Sequence, residues 1–275
     1  MNASTVANRA IKYVLLGLLA LTILYPLFWM GTISLRDNSS ALANPFGFDG
    51  TWSLDNYIFL IEDGRLGTWI TNSVIVNVLS VVFIALLAAV AAYGFSTFDF
   101  PGKNIWFGLL IIGLMVPPQA LVIAGYRWIE VLGIENSYLA LVMTYLGWTP
   151  FGILVMRNFF DSVPKELREA ATMDGAGHVR IFLQVMLPLA RPALTTVIIF
   201  NVIWVWNDFI YPLVYIQSPD LYTVPVGVLQ FAGRSTSQIA VQMAVLAVAT
   251  ALPLLVYLLF RKQFVRGVLE GAVKG

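Results

Sequence analysis

The sequence contains no cysteine and one histidine, His178, among 275 residues. Without thiols there are no disulfides, thiolate nucleophiles or Cys-ligated metals. With one imidazole, a His-based metal cluster lacks its ligands and a catalytic triad has a single candidate base, His178. Charge is scarce too: 11% of residues are Asp, Glu, Lys or Arg, against about 25% in a soluble domain. The net charge of +1 offers no bulk basic surface for nucleic acid. A phosphate-binding G-x-x-x-x-G-K-[ST] loop is also missing. The one Gly-Lys pair, Gly102-Lys103, runs into Asn104 and has Thr97 where the first glycine belongs.

Apolar residues fill the chain instead, at 59% of the total and a mean hydropathy of +0.81. No globular interior of this size hides that much apolar surface, so the chain reads as an integral membrane protein. A spanning helix needs about 20 apolar residues. Uncharged or nearly uncharged runs predict six of them, at about 13–35, 70–96, 104–124, 138–156, 193–217 and 238–260, within a single transmembrane domain, 1–275. Turn chemistry joins them at Asn44-Pro45-Phe46-Gly47, Phe100-Pro101-Gly102-Lys103 and Ser218-Pro219-Asp220. The first run is much longer than the 7–15 residues or so of a signal h-region, which favours an uncleaved anchor.

Orientation follows from the basic residues. With the N-terminus inside, Arg9, Lys12, Lys103, Arg157, Lys165, Arg168, Arg180, Arg191, Arg261, Lys262, Arg266 and Lys274 are cytoplasmic. Only Arg36, Arg65, Arg127 and Arg234 of the 16 Lys and Arg stay outside. Both termini are therefore expected in the cytoplasm.

The connection at about 157–192 is long and dense in charge. Asp161 and Ser162 offer capping side chains, Pro164 suits a first turn, and Glu166 and Glu169 complement the helix dipole. Leu167, Ala170, Ala171 and Asp174 share one narrow stripe, and Gly175 and Gly177 stop the helix. A second helical stretch follows, with Ile181, Phe182, Val185 and Met186 before Leu187-Pro188. Such a helix either floats at the headgroups or docks in a protein cleft; its small side chains and scarcity of aromatics suit a cleft.

Glu169-Ala170-Ala171, then Gly175 and Val185-Met186-Leu187-Pro188, resembles the E-A-A-x3-G-x9-I-x-L-P loop of ATP-binding-cassette importer permeases, with Val185 replacing Ile. Leu54-Asp55-Asn56-Tyr57, Asn72-Ser73, Ala91-Ala92-Tyr93, Pro164-Lys165-Glu166-Leu167, Trp206-Asn207-Asp208 and Gly271-Ala272-Val273-Lys274-Gly275 extend the resemblance to the smaller permease of maltose-type carbohydrate importers. Two departures are Ala124-Gly125-Tyr126-Arg127, where Pro-Leu-Tyr is usual, and Thr97-Phe98, which lacks a customary basic residue.

The resemblance implies an all-α, six-span, type I importer fold in a bacterial or archaeal cytoplasmic membrane, with no catalysis and no cofactor in this chain. ATP and Mg would sit in two cytoplasmic ATPase subunits. A homologous second permease and an extracytoplasmic sugar-binding protein would complete the assembly within the lipid bilayer. Pro164, Leu167, Glu169, Ala170, Ala171, Asp174, Gly175 and Gly177 would form the ATPase-docking element. The C-terminal segment 266–275 would reach the ATPase pair, unless it is a frayed end.

Asp208 is the one charge inside an expected span, about 22 Å along it at 1.5 Å per residue. Such a residue faces protein or water rather than lipid. With Trp204 and Asn207 it either walls a sugar path or bonds the partner permease. Trp29, Trp69, Trp128 and Trp148 read as interfacial belt or packing residues. Between the last two spans, about 217–237, Gln230, Phe231 and Gly233 are expected to meet the binding protein, with a simple pore lid as the other reading. An ion-coupled transporter using Asp208 is the competing class, and a glycerol phosphodiester the competing solute.

Overall fold

A computed structural model describes the backbone of residues 3–234 and 238–272. In chain order the helices are α1 Ala3–Ser34, α2 Asn38–Ala43, α3 Asp55–Asp63, α4 Arg65–Thr97, α5 Lys103–Met115, α6 Val122–Leu132, α7 Tyr138–Tyr145, α8 Thr149–Ser162, α9 Lys165–Met173, α10 His178–Ile181, α11 Leu187–Leu189, α12 Arg191–Asn207, α13 Ile210–Tyr215, α14 Val224–Arg234 and α15 Ile239–Ala272. Among the described residues, one isolated antiparallel bridge, Arg36 with Trp52, is the sole strand-like pairing.

Among the described residues, four helical stretches are long and apolar enough to cross a membrane, and there are six if each of two bent pairs counts as one span. The first of those bends and a break at Asp208 correct two expected helices. The run at 104–124 is not continuous: α5 ends at Met115, and the path turns by 96° through a 3₁₀ turn, Pro118–Leu121, into α6. Pro117 and Pro118 remove two backbone donors and push the preceding residue out of helix geometry. The run at 193–217 breaks at Asp208, whose extended backbone (ψ 129°) separates α12 from α13. A second bend of 74° precedes α12, after a π-helical turn at Phe182–Met186.

By internal packing the chain divides into two compact units, 1–67 with 227–252 and 68–226 with 253–275. In the first, α1 carries apolar side chains on all sides from Ile11 to Tyr25, nearly all of them exposed, as lipid contact requires. Its C-terminal end leads into a clasp built on Arg36. This residue reads in the sequence as a boundary charge, yet it is 0% exposed. Its Nε donates to Asp49 O (2.8 Å), Nη1 to Asn44 O (3.1 Å) and Gly47 O (2.8 Å), and Nη2 to Ser40 O (3.0 Å). A buried guanidinium is tolerable because those carbonyls replace water around it.

Asp37 ties the same loop together. Its carboxylate accepts from Ser39 Oγ, Ser40 N, Ser40 Oγ and Thr51 N. These donors, Ser39 first, hold its carboxyl well below the usual range. A depressed folded pKa contributes stability that is present above about pH 4 and lost as pH falls through the folded value. Asn38 Oδ1 accepts from Ala240 N, and Ile33, Ala41 and Ala240 form a small core there.

The second unit holds the main core. Buried Ile84, Ala88 and Ala92 of α4, Ile153, Met156 and Phe160 of α8, and Val197 of α12 belong to it. Gly152 of α8 lies against Ala88 and Val197, where a Cβ would come within 2.7 Å of the Ala88 methyl. Small residues of this kind let membrane helices approach closely.

The clasp generates a prediction. Arg36→Gln removes a charged donor set and leaves buried carbonyls unpaired, a loss of about 3 kcal/mol or more. Chymotrypsin should then cut at Phe46 or Phe48 in membranes where the native chain resists. Equal resistance of the two proteins would show that Arg36 does not hold the loop.

Candidate functional site

The break at Asp208 opens onto a cavity of about 970 Å³ inside the second unit. Its walls come from the bent α5–α6 path, from α7 and the Leu146–Trp148 turn, and from both sides of the break. Trp204, Asn207 and Asp208 all line it. Trp128 and Trp148 line it as well, and Trp148 also packs against Tyr145 at 4.8 Å between ring centroids. Trp206 points away and is buried.

The partner of Asp208, left open by the sequence, lies in this chain: Tyr145 Oη donates to Asp208 Oδ2 at 2.7 Å. Asn207 Nδ2 turns back to Ile203 O at 2.8 Å. Trp204 packs on Phe151 (4.9 Å), Phe200 (5.7 Å) and Trp148 (6.2 Å) between ring centroids. Gln119, Thr144, Asn207 and Asp208 supply the polar side chains of the wall, with the hydroxyls of Tyr211 and Tyr215.

Those two tyrosines hold the bend. Tyr211 Oη donates to Pro118 O (2.8 Å) and Tyr215 Oη to Val122 O (3.0 Å). Gly125 makes room, since a Cβ there would lie 2.4 Å from the Tyr215 hydroxyl. The departure Ala124-Gly125-Tyr126-Arg127 is thus the sequence signal for this contact, although nothing in its spacing points to Tyr215.

The segment expected to dock forms α9, with two corrections. Asp161 and Ser162 belong to the end of α8, where Asp161 pairs with Arg157 (3.3 Å) and Ser162 Oγ bonds Phe159 O. No side chain caps α9; Pro164 occupies the capping position rather than the first turn. The expected stripe also splits. Leu167, Glu169, Ala170 and Asp174 are exposed, whereas Ala171 turns toward the core.

Gly175 closes α9 with a left-handed backbone, φ +76°. Gly175 N bonds Thr172 O and Ala176 N bonds Ala171 O, both at 3.0 Å, the paired C-cap that favours glycine. Gly177 has an ordinary extended backbone and opens α10. Met173 is 87% exposed, and Leu167, Val179 and Leu183 add further uncovered apolar surface.

Residues the sequence passed over seat this segment. Arg168 Nη1 donates to Thr97 Oγ1 (3.2 Å), Tyr93 Oη to His178 O (3.4 Å), and His178 packs edge-on against Phe98 (4.9 Å). Thr97-Phe98, noted only as a departure, is therefore the seat of α9 and α10.

The expected loop at 217–237 is largely helical, since α14 spans Val224–Arg234; residues 235–237 lie outside the described ones. Gln230 is half-buried and Gly233 exposed. Phe231 is 2% exposed, with the Arg65 guanidinium 5.6 Å over its ring. Arg65 is fixed in turn by Asp63 (2.7 Å), so Phe231 supports the helix rather than meeting a partner directly. The segment before α14 is pinned within the second unit. Asn72 Nδ2 donates to Asp220 O and Tyr222 O, Ser73 Oγ accepts from Val224 N, and Asn136 Oδ1 accepts from Gln217 N and Ser218 N. The C-terminal segment continues α15 to Ala272 instead of loosening; Val273, Lys274 and Gly275 lie outside the described residues.

Comparison with known proteins gives this geometry a family. Residues 82–270 match the family described as "Binding-protein-dependent transport system inner membrane component". The maltodextrin transport system permease protein MdxG of Bacillus subtilis is 32% identical over 279 aligned residues, covering 100% of both chains. The diacetylchitobiose uptake system permease protein NgcG of Streptomyces coelicolor is 31% identical, covering 96% of this chain and 89% of that one. Among solved structures, a bacterial ABC transporter involved in import of the acidic polysaccharide alginate superposes with a TM-score of 0.84 at 23% identity, over 96% of this chain and 99% of that one. Membership sets aside the ion-coupled alternative. The chain belongs to the binding-protein-dependent transport family of inner-membrane components, and it is a multi-pass permease subunit of an ABC importer.

Proposed function

We propose that the chain forms half of the path of a carbohydrate importer, with six spans and both termini cytoplasmic. A homologous second permease forms the other half. Two cytoplasmic ATPases carry ATP and Mg, and an extracytoplasmic receptor delivers the sugar. The observation that carries this reading is the cavity at the helix break, lined by Trp128, Trp148, Trp204 and Tyr211 with a few polar groups. Flat aromatic faces cover the apolar faces of sugar rings, and the polar groups exchange hydrogen bonds with hydroxyls.

The cavity's charge points to neutral glycans. Asp208 is the single charged residue in its lining. A uronate or a phosphodiester would meet an acid with no compensating base, in surroundings where charge is poorly screened. The relatives named for maltodextrin and diacetylchitobiose agree with that choice; the alginate transporter supports the fold alone.

Energy would enter through α9. Leu167, Glu169, Ala170 and Asp174, flanked by Met173, form the surface received by the ATPase, while Pro164, Gly175 and Gly177 shape its ends. At the other membrane face, Gln230 and Gly233 would meet the receptor, with Phe231 packed behind them. The C-terminal segment 266–275 would lie against the ATPase pair.

Vesicles containing the co-expressed complex should take up a neutral oligosaccharide only with internal ATP and external receptor, and should not take up a uronic-acid oligosaccharide of equal length. Uptake without either requirement would contradict the reading. Gly175→Leu forces a side chain into left-handed geometry, a strain of about 1–2 kcal/mol. It should leave the chain in the membrane yet weaken ATPase capture in a pull-down at least tenfold, on the order of 1.4 kcal/mol. Full capture with full uptake would remove α9 as the docking element.

Asp208 gives a second test. Asp208→Leu strips the acceptor from Tyr145 and the buried break, a loss of roughly 2 kcal/mol, and should lower the unfolding temperature of the purified complex. Asp208→Asn keeps an acceptor and should stay within a few degrees of the native complex. Equal losses in both would mean that the carboxylate's charge, not its hydrogen bond, holds the break.

A further inference from the structure

The clasp around Arg36 displays two rings that nothing described so far uses. Phe46 is 71% and Phe48 62% exposed, on a stretch, 38–48, without a charged residue. The loop does not project beyond the end of α1 but folds back along it. Trp29 Nε1 donates to Pro45 O at 2.9 Å, Phe46 stacks on Trp29 at 5.7 Å, and Phe48 meets Phe28 at 6.3 Å between centroids.

Those contacts fix the depth of the rings. At 1.5 Å per residue, Trp29 lies about 26 Å along α1 from Lys12, near the far edge of a hydrocarbon layer about 30 Å thick. Phe46 and Phe48 therefore stand where aromatic side chains collect, at the boundary of hydrocarbon and headgroups. The surface beside them is the exposed side of α1, where Leu24, Tyr25 and Phe28 are uncovered in a spanning helix. The two rings extend that surface.

We propose that segment 44–48, held rigid by Arg36, is an interfacial anchor that inserts Phe46 and Phe48 into the lipid leaflet met by the C-terminal end of α1. That leaflet is the outer one on the orientation given under Proposed function. The buried guanidinium lets the loop do this without carrying charge into the interface, because Arg36 faces main-chain carbonyls rather than lipid. The anchor fixes the outer end of α1.

The absence of cysteine allows a direct test by spin labelling. Phe46→Cys, Phe48→Cys and a polar control, Glu62→Cys, are made in the full-length chain. Each is purified with its co-expressed partners and reconstituted in phosphatidylethanolamine/phosphatidylglycerol vesicles. Labels at 46 and 48 should collide with oxygen several-fold more often, relative to a water-soluble nickel complex, than the label at 62. Adding Arg36→Gln should abolish that excess. Ready access of nickel to 46 and 48 would overturn the anchor in favour of a water-facing surface. Shielding from both reagents would overturn it in favour of a protein partner. External ascorbate separately reports the leaflet, so an inverted orientation would fail the topology while the depth result still supports the anchor.

Discussion

A chain inside hydrocarbon has no water for its backbone, so any interruption of a helix must be satisfied by protein or face a wet cavity. The reciprocal repair between two broken helices meets that constraint. Pro117-Pro118 disrupts the α5–α6 path, and Tyr211 and Tyr215 of α13 supply hydroxyls to the carbonyls of Pro118 and Val122. The break before α13 is secured by Tyr145 on Asp208. Each interruption is tolerated because a tyrosine from another segment reaches it, and the space between them is the cavity.

The same economy of polar residues recurs elsewhere. Arg36 and Asp37 organise one non-helical loop, and Asn72, Ser73 and Asn136 organise another, each through main-chain donors and acceptors. Arg168 and Tyr93 seat α9 and α10. In a chain so poor in charge, buried polar side chains shape the parts of the backbone that are not helix. The exposed face of α9 carries none of this work, which leaves it available to a partner.

Much of this was legible in sequence. Uncharged runs marked the membrane stretches, and the spacing from Glu169 to Gly175 marked α9 together with the glycine its end requires. The run around Asp208 hid its break, because apolar composition records burial and not continuity. Pro117-Pro118 was a visible warning that the third run would bend. The clasp around Arg36 was not legible, since its partners are main-chain carbonyls, which leave no side-chain signature. Phe231 was misread for a different reason: Arg65, above its ring, is far away in sequence. Trp128 and Trp148 needed the bends before their place in the cavity could be seen.

The central claim is that the cavity at the broken helices is an aqueous substrate path. Substituted-cysteine labelling tests it most directly, with Gln119→Cys, Thr144→Cys and Asn207→Cys on the wall and Leu87→Cys on an exposed apolar position of α4. In the assembled complex, a water-soluble thiol reagent should modify the three wall positions, and sugar-loaded receptor with ATP should change their rates. Leu87→Cys should stay unreactive throughout. Wall positions as inert as Leu87→Cys, with or without turnover, would contradict the account.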